Sequence, residues 1–356
     1  MLDMLLKWYR RRFADPQAIA LLTILVVGFG IIYFFHGILA PLLIAIVIAY
    51  LLEWPTYKLT HFGLSRTVSV TIVLFLFLSL TTLAILLMMP IFWQQSARLI
   101  QDMPTMLNHL YNMMIELPDR YPTFLDAGII DAFAGNIRSK LLTSAESVVR
   151  YSMASVMGVV ALTIYLILIP LMVFFLLKDK EQMVRAFIRV MPRNSGLASK
   201  VWLEMNQQIT NYIRGKVIEI IFVTAATYIV FFFFALPYSL LLAVMVGLSV
   251  VVPYVGAVIV TIPVVIVALF QWGLGGDFWA FFVAYLIVQG LDSNLLVPLL
   301  FSEAVNLHPL VIILSVIIFG GLWGFWGVFF AIPLATLVKA VIHVWPEEPE
   351  EKVASI

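Results

Sequence analysis

The chain contains no cysteine, so disulfides, thiolate metal sites and cysteine nucleophiles are excluded at once. Charge is also scarce: 12% of the residues are charged, against about 25% in a soluble globular chain. No lysine or arginine occurs anywhere from 217 to 338. No GxxxxGK[ST] loop is present to cradle a nucleotide, no HExxH to hold zinc, and no GxSxG elbow to present a serine. The five histidines, at 36, 61, 109, 308 and 343, are scattered. An enzyme is therefore not expected, nor is a cofactor or a metal. A net charge of +1 offers no electrostatic footprint for nucleic acid.

What is abundant is apolar surface. Hydrophobic residues make up 63% of the chain, with 27 phenylalanines and a mean hydropathy of +1.06. An all-α, polytopic membrane protein follows, with the lipid bilayer as its main partner. The start, MLDMLLKWYRRRFADP, is basic, but the apolar stretch after it is too long for a cleaved signal. The N-terminus is expected to be retained.

Charge then orients the spans. Residues 17–52 carry no acid or base, and Gly37 and Pro41 offer a turn midway. Lys7, Arg10, Arg11 and Arg12 flank one end, Lys58 and Arg66 the other. A helical hairpin with both ends in the cytoplasm satisfies the positive-inside rule. Residues 67–92 cross outward, closing a set of N-terminal transmembrane helices over 1–93. Residues 94–150, with five Lys/Arg, six Asp/Glu and repeated prolines, read as an external amphipathic helical segment. A span over 151–177 returns inward. Segment 178–216 carries eight Lys/Arg against three acids and belongs in the cytoplasm. Residues 217–345 are expected to form a C-terminal transmembrane unit, and the acidic tail 346–356 to end in the cytoplasm.

Inside that unit the apolar arms are short and paired. One hairpin, at about 239–270, is divided by PYVG (253–256); a second, at about 309–342, is divided by GGLWGFWG (320–327). GAVIVTIPVV (256–265) faintly echoes GVFFAIPLAT (327–336), the opening of each second arm. Inverted pairs of broken helices are a recurring plan of secondary transporters. Proline and glycine at the tips free backbone groups that lipid cannot satisfy, so Pro253, Tyr254, Gly256, Gly320, Gly321, Gly324 and Gly327 are expected to lie in protein or line water. A leucine at Gly321 is expected to freeze the second hairpin.

Between the hairpins stands LDSNLLVPLLFSEAVNLHPL (291–310), with acids and no base nearby. A carboxylate in hydrocarbon is costly and tends to face a cavity or a partner. Gln289, Asp292 and Asn294, with Pro298 just beyond, offer oxygen ligands to a cation, a proton or a hydroxylated solute. Alternatively Asp292 ends its span in water at the cytoplasmic surface. Glu303 reads as a loop acid, and Glu219, beside IRGK, as an interfacial salt-bridge partner.

Two blocks, PYVGA and LDSNLLVPLLFSEAVNLHPLVIILSVIIFGGLWGFWGVFFAIPLATLVKAV, resemble the signature of the autoinducer-2 exporter family. MLDMLLKWYRRRFADPQAIALL and LKDKEQM…EMNQQITNYIRGK extend the resemblance along the chain. It implies an inner-membrane permease, a homo-pentamer, two hairpins in the transport unit and elevator-like export of a small solute. Other branches of that family are linked to sodium/proton exchange, which makes a cation/proton antiporter using Asp292 the alternative. A non-transporting membrane assembly or scaffold protein is the reading from another class. Ser302 and Glu303 depart from the family pattern, where a glycine is common.

Overall fold

The computed structural model describes residues 16–120, 156–190, 196–301 and 307–344. Among them every regular element is helical and there is no strand. The order is α1 (Pro16–His61), α2 (Arg66–Arg120), α3 (Val156–Lys178), α4 (Lys180–Val190), α5 (Gly196–Phe233), α6 (Ser239–Ser249), α7 (Val255–Trp272) and α8 (Gly276–Leu291). A π-turn over Asp292–Leu296 and the short α9 (Val297–Phe301) follow, then α10 (Pro309–Phe329) and α11 (Ala331–Val344). Among the described residues, six helices are long and apolar enough to cross a bilayer, Gly37–His61, Met205–Phe233 and Gly276–Phe301 being three of them. The all-α polytopic reading is met.

Helix boundaries differ from the expectation in three places. The turn expected near Gly37 is absent, and α1 runs unbroken for 46 residues through Pro41 and Pro55. The return of the chain to its starting side is therefore not made there. Likewise α2 continues past residue 93, through Pro90 and Pro104, for 55 residues or about 80 Å. α5 joins the expected cytoplasmic segment to the next span without a break at 216. For the prolines inside the apolar stretches of α1 and α2 the cause is shared. A break would strand several N–H and C=O groups in hydrocarbon, whereas a proline inside a helix costs one hydrogen bond and a kink. The rest of the expected external segment, 121–150, lies outside the described residues. So do the arginine triplet 10–12, Ser302, Glu303 and the acidic tail.

The chain divides into two compact units, one of residues 1–74, 169–215 and 301–356, the other of 75–168 and 216–300. In the second, α5 to α8 enclose an apolar core of Phe231, Leu242, Val246, Val264, Phe281 and Tyr285. Close approach there depends on Gly247, where a Cβ would fall 1.7 Å from Thr224 Oγ1 and 2.9 Å from the Ile220 carbonyl. A small residue at a crossing point is how membrane helices bring backbones together. The loop before α6 is pinned to α2 by Gln95, whose Oε1 accepts from the Leu241 N–H at 2.8 Å, and by a Tyr238–Asp102 hydrogen bond.

In the first unit the Tyr212 hydroxyl donates to the Phe329 carbonyl at 2.8 Å, and Gly215 lies against the ring of Phe301. Trp323 is buried, stacked on Phe29 at 5.1 Å and Phe319 at 5.6 Å.

Candidate functional site

α8 is regular up to Leu291 and then changes pitch. Pro298 has no N–H for the carbonyl of residue 294, and its ring would collide with that carbonyl in an α-helix. The chain answers with a π-turn, in which the Val297 N–H reaches back five residues to the Asp292 carbonyl. Such bulges recur at functional sites because they turn a side chain out of helical register. Here the residue at the start of the bulge is Asp292, which is 8% exposed and leaves Oδ1 without a hydrogen-bond partner. The solvated-interface reading of Asp292 does not hold.

The base that the sequence withholds from 217 onward stands one residue earlier. Lys216 Nζ lies 2.6 Å from Glu219 Oε2 and donates to the Val250 carbonyl at 3.0 Å. Lys216 is 4% and Glu219 2% exposed, so the expected salt bridge is present but buried. Asp292 and Lys216 are near enough to act on each other electrostatically, as are Asp292 and Glu219. Val250 caps α6 at the tip of the first hairpin. One cluster thus links α5, the π-turn and that tip.

A second polar chain runs beside it. Gln289 Nε2 donates to the Tyr285 hydroxyl at 3.1 Å, Tyr285 and Thr261 share a 2.9 Å hydrogen bond, and Thr261 Oγ1 donates to the Ala257 carbonyl. It ties α8 to the second arm of the hairpin. Asn294 is exposed and donates to the Gly290 carbonyl, while Pro298 is also exposed. The three expected oxygen donors are therefore parted by environment: Gln289 serves Tyr285, Asp292 is buried near Lys216, and Asn294 faces outward. Among the described residues no group of three metal-ligating side chains occurs.

The two tips divide between the units. In the first, Tyr254 is exposed and holds φ 61°, and Gly256 is pressed on its own first arm, its Cβ position 1.8 Å from the Ser249 carbonyl oxygen. Pro253 is half-buried, and its carbonyl accepts from the Val255 N–H at 2.7 Å. In the second tip Gly324 breaks α10 with φ 57°, and Gly327 would set a Cβ 1.8 Å from the Phe319 carbonyl oxygen. Gly320 approaches Val328, but Gly321 faces open space. The steric block expected of Gly321 belongs to Gly327.

Sequence reasoning passed over two members of these networks, Tyr285 and Thr261, to which only the i,i+4 spacing of Tyr285 and Gln289 pointed. Lys216 was legible as the last residue of IRGK, and the i,i+3 spacing in KVIE places it against Glu219. A separate cavity of about 320 Å³ in the first unit was also not foreseen. Its walls include Ile46, Tyr50, Glu53, Leu176, Lys180 and Asn206, with Glu53 bridging Arg66 at 2.9 Å and Lys180 at 3.0 Å.

Comparison with known proteins agrees with this architecture. The chain is 66% identical over 347 residues to the "Putative permease PerM" of Escherichia coli (strain K12), covering 98% of each chain. It is 28% identical over 317 residues to the "Putative transport protein YueF" of Bacillus subtilis (strain 168), covering 87% of this chain and 84% of that one. Another Bacillus subtilis protein, "Putative transport protein YrrI", is 27% identical over 316 residues, 86% of each. The profile described as "AI-2E family transporter" matches residues 22–347, nearly the whole chain, and the protein belongs to that family.

Proposed function

We propose that the protein is an inner-membrane secondary transporter of a small polar solute, of the autoinducer-2 exporter type, with its pathway along the π-turn and the first hairpin tip. The observation that carries this reading is Asp292: a buried carboxylate at a helix break, with an unpartnered oxygen, beside a broken hairpin. An ionisable group held inside a membrane segment marks a pathway far more often than it contributes stability. Lys216 is already engaged by Glu219 and the Val250 carbonyl, so an anionic solute gains little here. A neutral hydroxylated or a cationic solute fits better. The chemistry is binding and movement, and no bond is broken. An elevator-like motion needs two bodies, and the division of the chain into two compact units supports it.

The second reading, a cation/proton antiporter using Asp292, is favoured by the same unpartnered oxygen. Uptake and efflux in proteoliposomes, against a panel of small solutes and with imposed proton or sodium gradients, separates the two. Asp292→Asn is expected to abolish transport or its pH dependence while the protein still inserts. Wild-type-like transport in folded Asp292→Asn would remove Asp292 from the pathway. Absence of any flux in wild type would favour the scaffold reading.

Assembly and orientation complete the proposal. The family resemblance supports a homo-pentamer, and the exposed apolar face of α2, with Phe75, Leu76 and Leu86, is available to lipid or to another copy. Mass measurement in nanodiscs checks this, and a monomer alone would refute it. The Lys/Arg bias supports a cytoplasmic 178–216 segment and C-terminus, whereas the unbroken α1 lacks the turn that would return the N-terminus to that side.

A further inference from the structure

Secondary transporters often hold their coupling sodium at the C-terminal end of a half-helix, on carbonyls freed by unwinding. The first hairpin has such an end. α6 is only 11 residues long and stops at Val250, where the negative end of its dipole and an open carbonyl face α5. What occupies that place is the ammonium of Lys216, 3.0 Å from the Val250 oxygen and 2.6 Å from Glu219 Oε2. A cation is already built into the chain where an exchangeable one would bind.

Counting charge shows what remains exchangeable. Among the described residues, the charged groups acting on Glu219 are Lys216 and Asp292, and Lys216 acts on Asp292. The hairpin contributes the Val250 carbonyl. One ammonium balances one carboxylate, and the second carboxylate requires a proton. We infer that Lys216 replaces sodium in this cluster, that the exchangeable ion is a proton on the buried carboxyl of Asp292, and that its release frees the first hairpin tip. With Asp292 as the neutral acid, Lys216 is left to Glu219 and to the Val250 carbonyl, and the tip is held. When that proton departs to water, a second carboxylate competes for the ammonium and draws it from Val250.

The inference rests on the transporter reading only for its use in transport; its test needs no solute. Thermal unfolding of the full-length protein in nanodiscs is compared in NaCl and KCl at equal ionic strength. Wild type is expected to unfold at the same temperature in both, and Lys216→Ala, which vacates the cation position, to be stabilised by sodium. Hairpin release is read by the labelling rate of Val255→Cys, divided by that of Leu274→Cys, since the chain carries no other thiol. Both positions are exposed. A rise of at least about fivefold in this ratio from pH 6 to pH 8.5 is expected in the wild-type background and none in Asp292→Asn. Sodium-specific stabilisation of wild type, or a ratio that is flat with pH in the wild-type background, would overturn the inference. Should Lys216→Ala fail to fold, the wild-type salt comparison and the isosteric Asp292→Asn still decide it. Failure here leaves solute transport standing as a separate result, and the reverse also holds.

Discussion

Two glycines six residues apart in the second hairpin make a matched test of how the tip is built. At Gly327 a Cβ would sit 1.8 Å from the Phe319 carbonyl oxygen, 2.4 Å from its carbon and 3.1 Å from the Gly320 nitrogen. All three are backbone atoms, which cannot rotate away. At Gly321 nothing lies within 4 Å. An alanine at 327 must therefore push the facing backbone segments apart by more than about 1 Å, an overpacking that costs about 1–3 kcal/mol. An alanine at 321 meets no atom and gains up to about 1 kcal/mol from helix propensity.

The two variants should thus differ by about 1–4 kcal/mol, Gly327→Ala being the less stable. At roughly 2–4 °C per kcal/mol for a chain of moderate size, Gly327→Ala should unfold at least about 2 °C below Gly321→Ala. The fraction of monodisperse protein left after stepped heating in nanodiscs reads this directly. Solute flux should fall in Gly327→Ala and persist in Gly321→Ala. Equal shifts in the two variants would show that the tip does not close as described, and the reasoning would fail with it.

Three further outcomes follow from single contacts. Burial and the hydrogen bond to Asp102 push the Tyr238 phenol up to about 12, above its ordinary value near 10; the neutral form is the one the fold stabilises, so its contribution is whole below about pH 10 and lost as the pH rises through about 12. In a spectrophotometric titration, the wild-type minus Tyr238→Phe difference should stay free of phenolate absorbance until well above pH 10. Glu53→Gln should lower stability by roughly 1 kcal/mol and reduce its sensitivity to salt, since Glu53 is the shared partner of the half-exposed Arg66 and Lys180. With single cysteines, Ser65→Cys should resist an impermeant external reagent while Gly275→Cys reacts; the reverse pattern would invert the orientation.

How much of this was legible in the sequence can be judged residue by residue. PYVG and the 320–327 glycines mark the two hairpin tips because a broken helix needs proline or glycine, and those residues are visible. Length and apolarity give the spans. Helix continuity is not visible in the same way: Pro41 in α1 and Pro90 in α2 look like breakers, but hydrocarbon penalises a break more than a kink. The burial of Asp292 depends on a π-turn that no periodicity announces, although Pro298 supplies its cause. Lys216 is legible beside Glu219 in IRGK, but its bond to Val250, 34 residues on, is purely tertiary.

The two tips resolve one physical problem by one device. Each broken hairpin must turn the backbone sharply, and each does so with a residue of positive φ, Tyr254 in the first and Gly324 in the second. Two or three residues later a glycine closes the turn on the carbonyl of the preceding arm, Gly256 on Ser249 and Gly327 on Phe319. Those glycines are the opening residues of GAVIVTIPVV and GVFFAIPLAT, and a helical proline follows each, Pro263 and Pro333. A run of apolar residues can match another by chance, but chance does not also give matched glycines the same closure in both tips. The faint echo in sequence is thus accompanied by a similar closure at the two turns. The first tip also carries, at its turn, a carbonyl held by a buried charge, Val250 on Lys216.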